Sequence, residues 1–210
     1  ALDIEARLAE ADDAFTIGGR LWMRTDLAVP EGAEGLDDVG LSSPNLLDLF
    51  ADARPNDRVR AFARGRIHHD WTVEPGQTDP FTGAPIQPTS VILDQLWLKF
   101  DVAHAVFVTA GQQRVKWGAG RFWNPTDFLN RQRVDPLAVQ DLRSGAPLLR
   151  LHVPFEAAGG NVYAVASLDE ASSPDQIGGA LRAEWLVGQQ AEASFTAAAR
   201  KDQPLRFGTD

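Results

Sequence analysis

The fold of this chain is decided by the stretch RVRAFARGRIHHD, residues 58–70. Small and apolar residues alternate in it with charged or bulky ones, and a period of two places each set on its own face of a β-strand. One face carries Val59, Ala61, Ala63, Gly65 and Ile67. The other face carries Arg58, Arg60, Phe62, Arg64, Arg66 and His68. The stretch therefore predicts a strand with an apolar face and a strongly basic face.

The same alternation recurs along most of the chain. It is clear in residues 17–27, 46–54, 95–102, 148–153, 180–187 and 189–200, and less strict in 105–117 and 160–168. With a last strand beginning in 204–210, the pattern predicts about ten strands, several of them about 9–13 residues long, which suits a tilted crossing of a bilayer. Strands of ordinary globular proteins average about five or six residues.

The connections between these strands alternate in length. Short turns are predicted at 55–57, 102–104, 156–160 and 188–189, and long polar loops at 28–45, 72–90, 118–146 and 169–176. Tight turns at one rim and long loops at the other are typical of outer-membrane barrels. We therefore predict an all-β fold, an antiparallel up-and-down transmembrane β-barrel, over residues 14–210. Residues 1–13 are expected to be an N-terminal lead-in, either a short helix or a periplasmic segment.

The composition excludes several classes of function. The 210 residues include no cysteine, so disulfides and thiolate metal sites are ruled out. The net charge of −9 argues against nucleic-acid binding, which needs a basic surface. No apolar run approaches the roughly 20 residues of a membrane-spanning helix. Alternation alone also fits a soluble antiparallel protein, such as a lipocalin-like or sandwich domain; strand length and loop sorting favour the membrane barrel.

Two segments resemble a known family. Residues 108–130 read VTAGQQRVKWGAGRFWNPTDFLN, which resembles the G-R-Q-x-V-x-W-G … N-P-x-D stretch of Gram-negative porin-like outer-membrane barrels. Residues 46–66, LLDLFADARPNDRVRAFARGR, are similar to the second and third strands of such barrels. The resemblance implies a location in the bacterial outer membrane. Because these barrels usually finish on a strand with a terminal aromatic, we expect this chain to be the N-terminal portion of a larger barrel.

Basic residues form the first candidate site. In the predicted barrel, the inward phase carries Arg58, Arg60, Arg64, Arg66, Lys99, Arg114, Lys116, Arg150 and Arg182. Acids in that phase are fewer, and rings of arginine and lysine favour anions. The hypothesis is a channel lining that prefers anionic solutes. The alternative is that these charges pair across strands and simply fill a wet interior.

The long third loop, 118–146, is the second candidate site. It contains aromatic and apolar residues that would be poorly placed in a loop surrounded by water. The hypothesis is that it folds into the barrel mouth and narrows it, with Arg121, Trp123, Asn124 and Asp127 at the constriction. A purely structural turn, in which Asp127 binds backbone amides, is the alternative.

We find no pattern for catalysis, metal binding or a cofactor. The motifs of serine hydrolases, zinc proteases and nucleotide-binding loops do not occur, and the four histidines lack metal-ligand spacing. The predicted function is a porin-like channel that passes small solutes, which would be anionic if the basic residues are not neutralised by pairing. The main alternative is a non-conducting barrel that anchors an adhesion, motility or export complex. Expected partners are membrane lipid or lipopolysaccharide, small solutes, and a second copy or an envelope protein.

Overall fold

A computed structural model describes residues 13–74, 76–78, 83–115, 144–156, 159–188 and 191–210. The strands in these ranges are β1 Phe15–Trp22, β2 Asp26–Ala28, β3 Gly40–Ser42, β4 Pro44–Asn56, β5 Val59–Asp70, β6 Thr89–Val102, β7 Val106–Gln113, β8 Ala146–Phe155, β9 Gly160–Ser167, β10 Gly178–Val187, β11 Ala191–Ala199 and β12 Arg206–Thr209. Short 3₁₀ helices span Leu36–Asp38 and Pro174–Gln176. Within the described ranges, no helix has the length and apolar character needed to cross a membrane.

Ten of the strands form one sheet, in the order β1-β4-β5-β6-β7-β8-β9-β10-β11-β12. The printed ladders from β6 to β12 are antiparallel, and each joins strands that follow one another in the chain. Strands β2 and β3 pair separately. The predicted all-β class and the antiparallel meander of about ten strands are confirmed.

The first predicted strand was wrong in its length. Residues 17–27 alternate, but β1 ends at Trp22 and the chain resumes as β2 at Asp26. Strand β2 pairs with β3, which lies inside the segment predicted to be a long loop. Conversely, β6 begins at Thr89, before the predicted start at residue 95. Its first half is apolar at successive positions, with Val91, Ile92 and Leu93 all exposed, so no period of two marks it.

The tight turn between β6 and β7 lies where the sequence predicts it. Ala103 and His104 adopt φ values of 54° and 55°, in the left-handed region, and the Ala105 N–H donates to the Val102 carbonyl at 3.1 Å, so residues 103–105 form the turn. The His104 backbone N–H donates a hydrogen bond to Asp101 Oδ2 at 3.0 Å. The hairpin register continues from this turn, with Val102 opposite Val106.

The chain divides into two compact units that cut across several strands. One comprises Ala1–Thr16, Asp52–Ala63 and Asp94–Asp210, and the other comprises Ile17–Ala51 and Arg64–Leu93. We call the first of these the larger unit and the second the smaller unit.

On β10 and β11 of the larger unit, burial is the reverse of what a water-soluble sheet shows, although the apolar residues Leu148, Val165 and Ala180 are buried as well. On β11, Ser194 and Thr196 are buried while Phe195 between them is 43% exposed. On β10, Arg182 is buried and Leu181 is exposed. The polar face of these strands is thus the covered one. The apolar face, which carries Leu96, Leu98, Leu149, Leu151, Leu181 and Phe195, is the exposed one.

Candidate functional site

The basic residue nearest the β4–β5 turn, Arg58, is held by an acid of β6. Its Nε donates to Asp101 Oδ1 at 3.0 Å and to Oδ2 at 3.3 Å. The Asp101 side chain is 5% exposed although Arg58 is half exposed. The pair therefore closes one end of the β5–β6 ladder, where the Asp101 N–H also donates to the Arg58 carbonyl.

Arg60 takes part in both an ion pair and an aromatic contact. Its Nε donates to Asp52 Oδ1 at 2.7 Å, and Arg54 Nε donates to the other oxygen of the same carboxylate at 3.0 Å. The Arg60 guanidinium lies 5.4 Å from the ring centroid of Trp97, which stacks on buried Phe62 at 5.4 Å. A cation over an aromatic face is attracted by the ring quadrupole. Arg60 is therefore held in place from two sides.

In the smaller unit, Arg64 binds an acid of β4. Its Nε donates to Asp48 Oδ1 at 2.8 Å, and its Nη2 contacts Oδ2, which makes the pair bidentate. Arg66, two residues further along β5, is only 3% exposed. Both predicted basic residues therefore lie in covered positions.

Arg182 is a covered cation of the larger unit with several polar partners. It is 7% exposed, and it forms ion pairs with Glu184 through Nε and with Asp210 Oδ2 through Nη1, the latter at 3.0 Å. The same Nη1 lies 3.3 Å from the Thr196 hydroxyl oxygen. Charges covered to this extent need their partners, because removing a carboxylate would leave an uncompensated charge.

Arg114 lies just beyond the end of β7 and pairs with Asp94 at 2.8 Å. Alternation fails at this point, because Asp94 and Gln95 are consecutive and both buried. The opposite strand is irregular as well: Gly111 has a φ of 123°, and a Cβ there would overlap the Leu96 carbonyl oxygen. Period two predicted an inward position for Arg114, but the two strands do not alternate regularly at this point.

Lys99 differs from these arginines. Within the described ranges, no carboxylate lies within ion-pair distance of its ammonium. The Nζ atom instead lies 5.4 Å from the ring centroid of Phe107, and Arg60 and Arg150 both act on it as like charges. Lys99 and Arg150 are each directly opposite Thr109, on β6 and β8. Among the described residues, Lys99 is thus a cation that no carboxylate pairs with.

A row of three stacked rings lies beside this positive charge. Phe107, His152 and Tyr163 occupy directly opposed positions on β7, β8 and β9. The ring centroids are 5.6 Å apart for Phe107 and His152 and 4.6 Å apart for His152 and Tyr163. We call these residues the aromatic row. Sequence analysis missed it because residues 114–145 separate β7 from β8 in the sequence, so no short turn sets their register.

The remaining predicted site residues cannot be placed. Lys116 and the constriction-loop candidates Arg121, Trp123, Asn124 and Asp127 lie outside the described residues, as does the lead-in up to residue 12. Their roles stay predictions. Over the part of the chain that the structure describes, no three side chains of the metal-binding types are grouped to hold an ion.

No protein-family model matches the sequence, and no curated protein matches it either. Among solved structures, the chain is similar to a doubly substituted porin of Rh. blastica, with 14% sequence identity and a TM-score of 0.36. The similarity covers 90% of this chain and 70% of that porin chain. The fold described above depends on the hydrogen-bonded ladders of this chain and takes nothing from that similarity.

Proposed function

We propose that this chain forms part of a porin-like β-barrel channel in a bacterial outer membrane, which passes small solutes and prefers anions. The observation that carries the proposal is the reversed burial of the larger unit. Its polar face is covered, and its apolar face is exposed. Transmembrane barrels have this arrangement, with an apolar band toward lipid and a polar interior.

The exposed apolar face supports the lipid contact. Leu96, Leu98, Leu149 and Leu151 are each between 37% and 53% exposed, on strands β6 and β8. Large contiguous apolar patches are rare on soluble monomers and mark interaction with a membrane or a partner. A hydrocarbon environment removes the cost of exposing these side chains to water, about 25 cal/mol for each Å² of apolar surface.

The charged pairs of the opposite face support a hydrated interior. Arg58, Arg60 and Arg182 each hold a carboxylate, and such pairs are costly to remove fully from water. Water in a channel would hydrate the outer edges of these pairs. The pairing also means that the arginines are largely neutralised, as the pairing alternative predicted.

The preference for anions depends mainly on Lys99. Arg60 and Arg150 act on Lys99 as like charges, and acids in the surrounding ladder bind arginines. Positive charges along a pore raise the local anion concentration and repel cations.

The test is ion selectivity in planar bilayers, with the full-length protein and its variants Lys99→Glu and Lys201→Glu. Lys201 is an exposed lysine of the β11–β12 connection and serves as the matched control. We expect Lys99→Glu to lower the anion-to-cation permeability ratio about threefold, roughly 0.6 kcal/mol, and Lys201→Glu to leave it unchanged. Equal ratios in all three proteins would refute the anion preference. A folded, membrane-inserted protein that never conducts would instead support the anchoring barrel.

A further inference from the structure

The aromatic row leaves ring surface available on the polar face. Phe107, His152 and Tyr163 are each only half-buried, although they stack on one another. The His152 Nε2 atom lies 2.8 Å from Asn161 Oδ1, which fixes the orientation of the central ring. A held ring with exposed surface can stack with a planar ligand at little cost in side-chain entropy.

Lys99 and Arg150 lie on the same face, in the row of residues next to the aromatic row. Lys99, Thr109 and Arg150 form the next row of opposed residues, two positions from Asp101, Phe107 and His152 along each strand. Same-face neighbours along a strand are about 7 Å apart, which a single planar acid can span. Lys99 is also half-buried, so a ligand would displace little water to reach it.

The acids nearby are engaged by arginines. Asp101 binds Arg58, and Glu184 binds Arg182. Glu184 and Glu192 also act as negative charges on the Tyr163 hydroxyl. Glu184 and Glu192 border the far end of the aromatic row, so an anionic group would be repelled there and attracted at the Lys99 end. A ligand would therefore bind in one orientation, with its anionic group at the Lys99 end.

We propose that this surface, the aromatic row with Lys99 and Arg150, is a binding site for aromatic carboxylates, with the ligand ring against the aromatic row and its carboxylate on Lys99. The inference deepens the proposed channel and depends on it for the route by which the ligand arrives. It assigns the site a solute class defined by one ring and one negative charge.

The test compares benzoate with cyclohexanecarboxylate, which has the same charge and a similar size but no aromatic ring. Binding to the full-length protein in detergent is measured by ligand-observed NMR, without any need for transport. We expect benzoate to bind roughly threefold to tenfold more tightly, as an aromatic contact contributes. Tyr163→Leu and, separately, Phe107→Leu should remove that preference. Lys99→Gln should weaken both ligands about tenfold, and Lys201→Gln neither.

Each outcome decides between the two proposals. Equal affinity for both acids in the unsubstituted protein overturns the aromatic site, as does a Lys99→Gln variant that binds like Lys201→Gln. Circular dichroism shows which variants fold, and either leucine variant suffices if the other does not. A protein that binds benzoate selectively but never conducts keeps the site and loses the channel. One that conducts anions but treats both acids alike keeps the channel and loses the site.

Discussion

Leu181 and Arg182 are consecutive residues of β10, yet the leucine is 58% exposed and the arginine only 7%. Their neighbours on β11 repeat this contrast, because Arg182 lies opposite buried Thr196 and Leu181 lies opposite Ala197 on the apolar face. A sheet surrounded by water would place these two residues the other way round. The inversion is the physical basis of the membrane location proposed above.

Replacing Leu181 by arginine should destabilise the protein in lipid. An arginine on the lipid face of a barrel costs about 2–4 kcal/mol near the bilayer midplane. The measurement is the urea-unfolding free energy in liposomes. Leu36→Arg is the matched control, since Leu36 is 90% exposed but lies in a 3₁₀ helix outside the sheet. Equal effects of the two substitutions would count against lipid contact at Leu181.

Removing the charge of Arg182 should be costly. Arg182→Ala leaves Glu184 and Asp210 without their covered partner, which we expect to lower the unfolding free energy by about 3 kcal/mol. Arg24→Ala breaks a pair with Asp26 on an exposed segment and should leave stability unchanged. The midpoint of urea unfolding reports both. A small effect at Arg182 would mean that water solvates the two acids freely.

Gly111 should not tolerate a side chain. Its φ of 123° is strained for any other residue, and an added Cβ would overlap the Leu96 carbonyl oxygen. Gly111→Ala should lower the unfolding free energy by about 2–3 kcal/mol. Gly179→Ala is the control, because a Cβ there meets open space. If both alanines behave alike in thermal unfolding, the strand irregularity at Gly111 is not a structural requirement.

Asp175, in the loop between β9 and β10, should titrate below its usual range. Hydrogen bonds from Lys201 and then from Ser173 lower the pKa of this carboxyl. A lowered folded-state pKa stabilises the fold above the unfolded-state pKa, and the contribution is lost as the pH falls through the folded-state value. Lys201→Gln should raise the pKa of Asp175, read by NMR titration of its carboxyl carbon. An unchanged pKa would show that Lys201 does not bind it in solution.

Alternation predicted the faces of the strands well where one residue type dominates each face. In β8, Leu149 and Leu151 lie on the exposed face, and Arg150 is more covered, as period two requires. The same signal was misleading at the first strand, where Met23 continues the pattern although the strand has ended. The period of a segment indicates which secondary structure it could form, but the partner strand determines where the pairing ends.

The candidate site needed information that a single strand does not contain. The basic residues were visible in the sequence, but the pairing of Arg60 with Asp52 depends on the β4–β5 register. The aromatic row depends on two further registers, and one of them joins strands that are more than 30 residues apart in the sequence. Lys99 differs from the arginines because the carboxylates around it bind arginines, and this pairing is not visible in a single strand.

Accessibility of single spin labels tests the central claim most directly. Because the chain contains no cysteine, Leu98→Cys and Lys99→Cys each give one labelling site, on consecutive residues of β6. The full-length protein is reconstituted in liposomes, and relaxation of each label by oxygen is compared with relaxation by a water-soluble nickel chelate. We predict that oxygen dominates at residue 98, in lipid, and that the nickel chelate dominates at residue 99, in a hydrated interior. Strong relaxation by the nickel chelate at both residues would contradict the account and place the apolar face in water.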